Sequence, residues 1–298
     1  MEEKRFVNSI NEDVHFLKWE VSNPNATVVI AHGMVEHPYR YDDLARYLNK
    51  NNISVYGIFH IGHGKHAKIL NHMGEGEFDR CISNIYELIE NIKNESSLPI
   101  FLLGHSMGSF MSQIYISRYN NIDGLILSGS TKAPAIAKIG ATLAKIMNKL
   151  SKDNTKASNF LDGMAFGSYN KKFKNPRTKF DWLSRDEENV DKYIADPYCG
   201  GVCSVSFYKN LTSAMANMNK KKYIENINRE LPIIILGGSS DPVSSMGKGL
   251  IQLKEQYVEL GVKDVSMIMY ENARHEIYNE INKDEVYKDT LDFINNHI

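Results

Sequence analysis

The chain has 298 residues, of which 42% are hydrophobic, so it can bury the core of one large domain or of two ordinary ones. Its 35 Lys and Arg residues balance 36 Asp and Glu residues, and the net charge of -1 argues against a nucleic-acid partner or an anionic-membrane patch. The three cysteines are too few for a disulfide framework in a chain of this length, and their spacing does not suggest zinc. The N-terminus is polar, and no apolar run approaches the roughly 18 residues of a membrane span, so we expect a cytoplasmic protein.

Short apolar runs predict the strands of a sheet. Their near-continuous apolarity indicates strands buried on both faces, as in a parallel sheet. The runs are TVVIAHG (27–33), ISVYGIF (53–59), LPIFLLG (98–104), IDGLILSG (122–129), LPIIILGG (231–238) and VSMIMY (265–270). Ahead of them, DVHFLKWE (13–20) alternates apolar and polar residues, which predicts an antiparallel strand at the edge of the sheet.

Helical patterns separate these runs, and the alternation predicts an α/β protein with a doubly wound sheet. The predicted helices span 39–50, 78–94, 107–119, 246–260 and 283–296. Residues 130–228 interrupt this alternation with helical and loop patterns only. We therefore predict a core domain from residues 1–129 and 229–298, and an inserted helical cap from 130–228.

The first part of the predicted cap carries an apolar stripe at helical spacing. The stripe consists of Ile136, Ile139, Leu143, Ile146 and Leu150. This stripe is consistent with a helix that packs on the core, or with a lid whose apolar face covers an apolar pocket.

Ser106 lies between two glycines in GHSMG, directly after a predicted strand and directly before a predicted helix. This is the setting of a nucleophile elbow, in which the glycines allow a tight turn that leaves the serine Oγ exposed. The N-terminus of the helix supplies N–H groups and a positive dipole end for developing oxyanion charge. We predict that Ser106 is a catalytic nucleophile rather than a residue of an ordinary glycine-rich turn.

A serine nucleophile needs a general base and a carboxylate that orients it. On this type of scaffold the order in the chain is Ser, then Asp or Glu, then His. His275, in the loop after the VSMIMY strand, is the predicted base, because the other downstream histidine, His297, is next to the C-terminus and expected to be frayed. Asp241 directly follows the buried LPIIILGG strand and is the predicted orienting carboxylate.

The oxyanion hole of such a site needs two backbone N–H groups. Met107 follows the nucleophile, and Met34 lies in the loop after the TVVIA strand, so these two residues are the predicted donors. Gly33 would let the backbone approach the substrate. We also expect Gly33 and His105 to border the bound substrate.

Taken together, the segments HGMVEHPYRYDDLARYL, IGHGKH, GHSMG, LGGSSDPV and ARHEIYNE resemble the α/β-hydrolase group of monoacylglycerol lipases and bacterial lysophospholipases, also described as serine aminopeptidase S33-like. The resemblance covers about residues 10 to 295. It implies an α/β-hydrolase fold with a mostly parallel central sheet and a helical lid, and no metal or other cofactor. It further implies hydrolysis of a lipid-like ester through Ser106, Asp241 and His275.

The sequence departs from the family pattern in one loop. Relatives commonly have Asp and Arg shortly before G-H-G and a Ser after it, whereas this chain has His60, Ile61 and His66 at these places. Three functions stay open: a lipid-like ester hydrolase, a small-molecule carboxylesterase or thioesterase, and a non-catalytic binding protein on a hydrolase scaffold. A transient contact of the cap with a membrane surface and the oligomeric state are left open as well.

Overall fold

A computed structural model describes residues 1–132, 137–218 and 220–298. Within them, one sheet contains the strands β1 (Glu2–Val7), β2 (Asp13–Trp19), β3 (Ala26–Ala31), β4 (Ile53–Ile58), β5 (Ile100–His105), β6 (Gly124–Ser128), β7 (Ile233–Gly238) and β8 (Val265–Tyr270). Their order across the sheet is β1-β2-β4-β3-β5-β6-β7-β8. β1 pairs antiparallel with β2, and β2 with β4, while all the other pairs are parallel. The mostly parallel sheet confirms the predicted α/β class.

Two details of the strand prediction are wrong. β2 lies inside the sheet rather than at its edge, because β1 covers it and forms the edge itself. The sequence EEKRFV of β1 is mostly charged and exposed, so it lacks the apolar pattern that would have indicated a strand. β8 forms the opposite edge and is half-buried along most of its length, although its apolar sequence predicts burial on both faces.

The described helices are α1 (Asp42–Lys50), α2 (Glu77–Glu95), α3 (Met107–Tyr115), α4 (Ala137–Leu150), α5 (Asn159–Phe166), α6 (Glu187–Ala195), α7 (Val205–Met218), α8 (Lys221–Ile224), α9 (Lys248–Glu259) and α10 (Lys283–Asn295). They cover both faces of the sheet. Successive residues of a strand point to opposite faces, so neighbouring residues of β3 pack against different helices. Val29 and Ala31 of β3 pack in one core with α2, α3 and α9, and Val28 and Ile30 pack in the other with α1 and α10.

The helices α4 to α8 all lie between β6 and β7, in the segment predicted to form a cap. Within the described residues of that segment the only β-pairing is an isolated bridge between Ala157 and Ser204. The division into core and cap domains stays a prediction. Along the described chain, we find no helix with the length and apolarity needed to span a membrane.

Most of the apolar stripe of α4 does not pack on the core; of its described residues, Leu143 is the one partly buried against it. The helix buries Ala137, Ala141 and Ala144 instead, and it packs against α7. Ile139, Ile146 and Leu150, on another face, are 66%, 52% and 77% exposed. Ile136, the first residue of the predicted stripe, lies outside the described residues. The small alanines allow close contact between the helices, so Ile139, Ile146 and Leu150 are left facing outward.

Candidate active site

Ser106 forms the turn between β5 and α3, at the carboxyl edge of the sheet. Its backbone has φ 50 and ψ -116, a sparsely populated conformation for a residue with a side chain. Its N–H donates to the carbonyl oxygen of Ser128 at 3.0 Å. The turn is tight because the helix starts against the neighbouring strand: a Cβ on Gly108 would lie 1.9 Å from the Ala31 oxygen. The surrounding packing therefore holds Ser106 in the strained turn.

His275 and Asp241 are brought together by the loops that follow β8 and β7. The His275 Nδ1 lies 3.1 Å from the Asp241 Oδ2, and both side chains are buried. The other carboxylate oxygen of Asp241 accepts the Val243 N–H at 2.8 Å. Burial alone would lower the pKa of His275, but the charge of Asp241 and its hydrogen bond, with smaller contributions from Glu276 and Glu36, raise that pKa above its usual 6.5.

Ser106 and His275 border the same cavity, but no hydrogen bond joins the two side chains in the part of the chain that the structure describes. The alternative histidine, His297, is not frayed as expected, because its ring bonds the Phe293 carbonyl oxygen at 2.7 Å and Asp264 Oδ2 at 3.0 Å.

The loop after β3 carries Gly33 and Met34, and Met34 is one of the two expected oxyanion donors. The Gly33 N–H donates to Glu36 Oε1 at 2.5 Å and is therefore already occupied. The Met34 N–H has no hydrogen-bond partner among the described residues. Met107 is the first residue of α3, so its N–H has no acceptor within the helix. Within the described residues, both N–H groups are therefore free to bind a ligand.

His32 fixes the backbone of this loop, a role that the sequence did not reveal. Its Nε2 accepts the His60 N–H at 3.2 Å, so its Nδ1 carries the proton and donates to the Gly33 oxygen at 2.8 Å. Burial lowers the pKa of His32 to about 3, which keeps the ring neutral. In the sequence, the only indication of this role was the position of His32 directly after a buried strand.

The loop that departs from the family pattern lies behind His32. The rings of His60 and His63 pack at 4.3 and 5.1 Å from the His32 ring. His66 points elsewhere: its ring stacks on His15 at 3.7 Å and bonds Glu3. The residues that depart from the family pattern thus contribute to the packing behind the loop after β3 and to one surface contact.

Glu36, Arg40 and Glu276 form a buried ionic cluster beside His275. Arg40 donates to Glu36 Oε2 at 2.9 Å and to both carboxylate oxygens of Glu276 at 2.5 and 2.7 Å. Burial opposes the charge of Arg40, but the two carboxylates raise its pKa well above the usual value. Glu36 and Arg40 belong to the motif HGMVEHPYRY, yet nothing in the sequence indicated that Arg40 would meet Glu276.

A cavity of about 660 Å³ extends from Ser106 and His275 to the helices between β6 and β7. This volume is typical of small-molecule sites, which hold roughly 300–1,000 Å³. Gly33, Met34, His105 and Met107 line its floor. Most of its wall is apolar, with side chains that include Phe110, Ala144, Leu161, Phe166, Trp182, Leu183, Leu211 and Met215.

Two groups of side chains among the described residues have donor atoms close enough to hold a metal ion. One comprises Glu3, His15 and His66, and the other His37, Asp196 and Cys199. Neither group contains Ser106, Asp241 or His275. A reaction without a metal or cofactor stays a prediction.

This fold and this cavity define the class of the protein as an α/β-hydrolase. The solved structure of a highly thermostable carboxyl esterase from Bacillus coagulans matches it with a TM-score of 0.91 at 24% identity, over 99% of this chain and 98% of that one. This structural match shows that the two chains share the same fold.

The profile of the family described as "Serine aminopeptidase, S33" matches residues 22–282, so the chain belongs to that family. The monoglyceride lipase of Mus musculus is 28% identical over 91% of this chain and 84% of its own length. The monoglyceride lipase homolog of Monkeypox virus is 26% identical over 95% and 93%. These relatives confirm the resemblance found in the sequence, and the protein is a carboxylester hydrolase.

Proposed function

We propose that the protein is a serine hydrolase that cleaves a lipid-like ester, a monoacylglycerol or a lysophospholipid, through an acyl-enzyme intermediate. The observation that carries this proposal is the apolar cavity of about 660 Å³, whose lining includes Ser106 and His275. An acyl chain gains free energy by leaving water for such a wall, at about 25 cal/mol for each Å² of apolar surface. The monoglyceride lipases among its relatives support the same class of substrate.

In the proposed reaction the Ser106 Oγ attacks the ester carbonyl while His275 takes its proton. Asp241 keeps the proton of the imidazole on Nδ1, so that Nε2 can act as the base. The N–H groups of Met34 and Met107 stabilise the tetrahedral oxyanion. His275 then gives its proton to the leaving alcohol, and it activates the water that hydrolyses the acyl-enzyme.

Residues 130–228 act in this proposal as a cap over the acyl chain, on a core of residues 1–129 and 229–298. Gly33 and His105 border the substrate near the reacting carbon. Cap side chains such as Leu161, Trp182 and Leu211 would surround the chain itself. We propose the cytoplasm as the location, and neither a nucleic acid nor a cofactor takes part.

The test is the substitution Ser106→Ala. We expect it to abolish hydrolysis of p-nitrophenyl esters and labelling by a fluorophosphonate probe, in a protein whose thermal unfolding is unchanged. Asn159→Ala, on the exposed surface, is the matched control and should keep both activities. Retained hydrolysis in Ser106→Ala would refute the nucleophile, and a wild-type protein that the probe does not label would favour a non-catalytic binding protein.

The length of the acyl chain separates the lipid ester from the small-ester alternative. If the cavity holds an acyl chain, kcat/KM should rise along a series of p-nitrophenyl esters from C2 to about C8–C12, since each buried CH₂ contributes about 0.8 kcal/mol. A maximum at acetyl esters would instead identify a small-molecule carboxylesterase or thioesterase.

We further propose that the cap touches lipid surfaces transiently. The large side chains Ile139, Ile146, Leu150, Phe160 and Met164 are all more than half exposed. They belong to α4 and α5, which also supply walls of the cavity. An exposed apolar patch next to a cavity for an apolar substrate would let the enzyme take that substrate directly from a membrane.

A further inference from the structure

The buried ionic cluster of Glu36, Arg40 and Glu276 is bonded to two loops of the site. On one side, Glu36 accepts the Gly33 N–H, in the loop that carries Met34. On the other side, Glu276 is the residue directly after His275. Arg40 binds both carboxylates, so one guanidinium joins the loop after β3 to the loop after β8.

The same guanidinium also contacts the cap segment. It lies 4.8 Å from the centre of the Tyr193 ring in α6, and the Tyr193 hydroxyl donates to the Val35 carbonyl at 3.2 Å. A contact of this kind with an aromatic face favours Arg over Lys. Arg40 thus has three partners, Glu36, Glu276 and Tyr193, on three separate parts of the chain.

We propose that Arg40 is a positioning residue: it holds the oxyanion loop and the His275 loop in their reactive arrangement and balances the negative charge beside the imidazole. This inference rests on the hydrolysis proposed above. The motif HGMVEHPYRY alone did not indicate this role for Arg40.

The geometry needs a guanidinium rather than any cation. Two parallel N–H groups bind the Glu276 carboxylate while the same side chain still reaches Glu36, which the compact ammonium of a lysine cannot reproduce. Without the cation, two buried carboxylates would face each other and repel. Movement of the Glu36 carboxylate would shift Gly33, whose N–H is bonded to it. Movement of Glu276 would shift His275, the residue directly before it in the chain.

The charge of the cluster also acts on His275. Among the described residues, the negative charges of Asp241, Glu276 and Glu36 act on His275. The ring of His105 lies 4.9 Å from the His275 ring, and Tyr169 lies close enough to Asp241 to be affected by its charge. Burial keeps His105 and Tyr169 neutral, with pKa values of about 3 and about 12. Arg274, next to His275 in the chain, donates its guanidinium N–H to the carbonyl oxygens of Asp181 and Ser184 instead. Arg40 binds Glu36 and Glu276 directly and is therefore the cation that offsets them.

The first experiment compares the pH dependence of kcat/KM in two variants with opposite changes of charge. Glu276→Gln removes a negative charge, so the acid limb of the profile should move to lower pH by about half a unit. Arg40→Gln removes the balancing cation, so the limb should move to higher pH. Limbs that stay fixed, or that move in the same direction, would overturn the proposal. If Arg40→Gln does not fold, the comparison of Arg40→Lys with its control, described next, decides.

The second experiment separates positioning from general stability. Arg40→Lys keeps the charge, and we expect kcat to fall about 10- to 100-fold with KM within about threefold, because the oxyanion is stabilised mainly in the transition state. Arg185→Lys is the matched control, since Arg185 also pairs with a buried carboxylate, Glu280, and links the cap segment to the core. An equal loss of kcat in both variants would overturn the role of Arg40.

Fluorophosphonate labelling separates this inference from the proposed function. If the probe does not label wild-type protein at Ser106, the hydrolase mechanism itself fails. If wild-type protein is labelled and Arg40→Lys has wild-type kcat, only the role of Arg40 is refuted.

Discussion

The Nδ1 of His275 lies 3.1 Å from the Oδ2 of Asp241, and both side chains are buried where the loops after β8 and β7 meet. This contact joins residues that are 34 positions apart in the sequence. It determines which ring nitrogen carries the proton, and the first two predictions depend on it.

Asp241→Asn should leave the fold intact and remove most of the activity. The asparagine carbonyl oxygen can still accept the Val243 N–H, which turns its NH₂ group towards His275. That donor needs a lone pair on Nδ1, so the proton moves to Nε2 and the imidazole can no longer accept from Ser106. We expect kcat to fall about 10³- to 10⁴-fold, measured with a p-nitrophenyl ester. A loss below tenfold would contradict the assignment of Asp241.

The activity should depend on pH through His275. The base must be neutral, and Asp241 outweighs burial to raise its pKa above 6.5. We therefore expect kcat/KM to fall as the pH decreases through a midpoint above 6.5. In Asp241→Asn the remaining activity should show a lower midpoint, because the raising charge is gone. A midpoint that is the same in both proteins would assign the titration to another group.

The sequence predicted the parts of this site that follow directly from strand ends. Ser106 and Asp241 each follow a strand of strong apolar pattern, and parallel strands bring their carboxyl ends to one edge. By contrast, the bonds of Arg40 to Glu276 and of His32 to the Gly33 carbonyl depend on how separate loops pack, which local patterns do not encode. β1 was missed for a related reason: its pairing with β2 comes from backbone hydrogen bonds, not from an apolar face.

Four buried histidines should make the protein sensitive to acid. Burial lowers the pKa of His32, His63 and His105 to about 3 and that of His60 well below its usual value. Because the unfolded chain binds these protons at pH about 6.5, stability is fully present above this pH and is lost as the pH falls towards about 3. Thermal unfolding between pH 7 and 4 should show a steep fall in Tm.

His60→Leu tests this origin of the acid sensitivity. Both ring nitrogens of His60 are buried and have no hydrogen-bond partner among the described residues, so their removal should cost little at pH 7. At pH 4.5 the variant should be more stable than wild type by about 2 kcal/mol, because one buried proton site is gone. If the Tm of the two proteins falls by the same amount between pH 7 and 4.5, His60 does not contribute to the acid sensitivity.

Two glycine substitutions should have opposite effects on stability. Gly108→Ala would bring a Cβ to 1.9 Å from the Ala31 carbonyl oxygen, so α3 must move away from β3. We expect a loss of several kcal/mol, or no folded protein. Gly163→Ala, in α5, meets nothing within 4 Å and should stabilise the helix by up to about 1 kcal/mol. Chemical denaturation measures both, and a tolerated Gly108→Ala would contradict the close packing behind Ser106.

The exposed face of the cap segment should bind lipid surfaces. Ile146→Ser combined with Leu150→Ser removes two large apolar side chains that are 52% and 77% exposed, so the fold should be unaffected. We expect binding to phosphatidylcholine vesicles, measured by flotation, to weaken about tenfold or more. Ile251→Ser is the matched control, because Ile251 is 44% exposed on α9, away from the cap segment. Equal binding of all three proteins would refute the contact, whereas hydrolysis of a soluble short-chain ester should be the same in each.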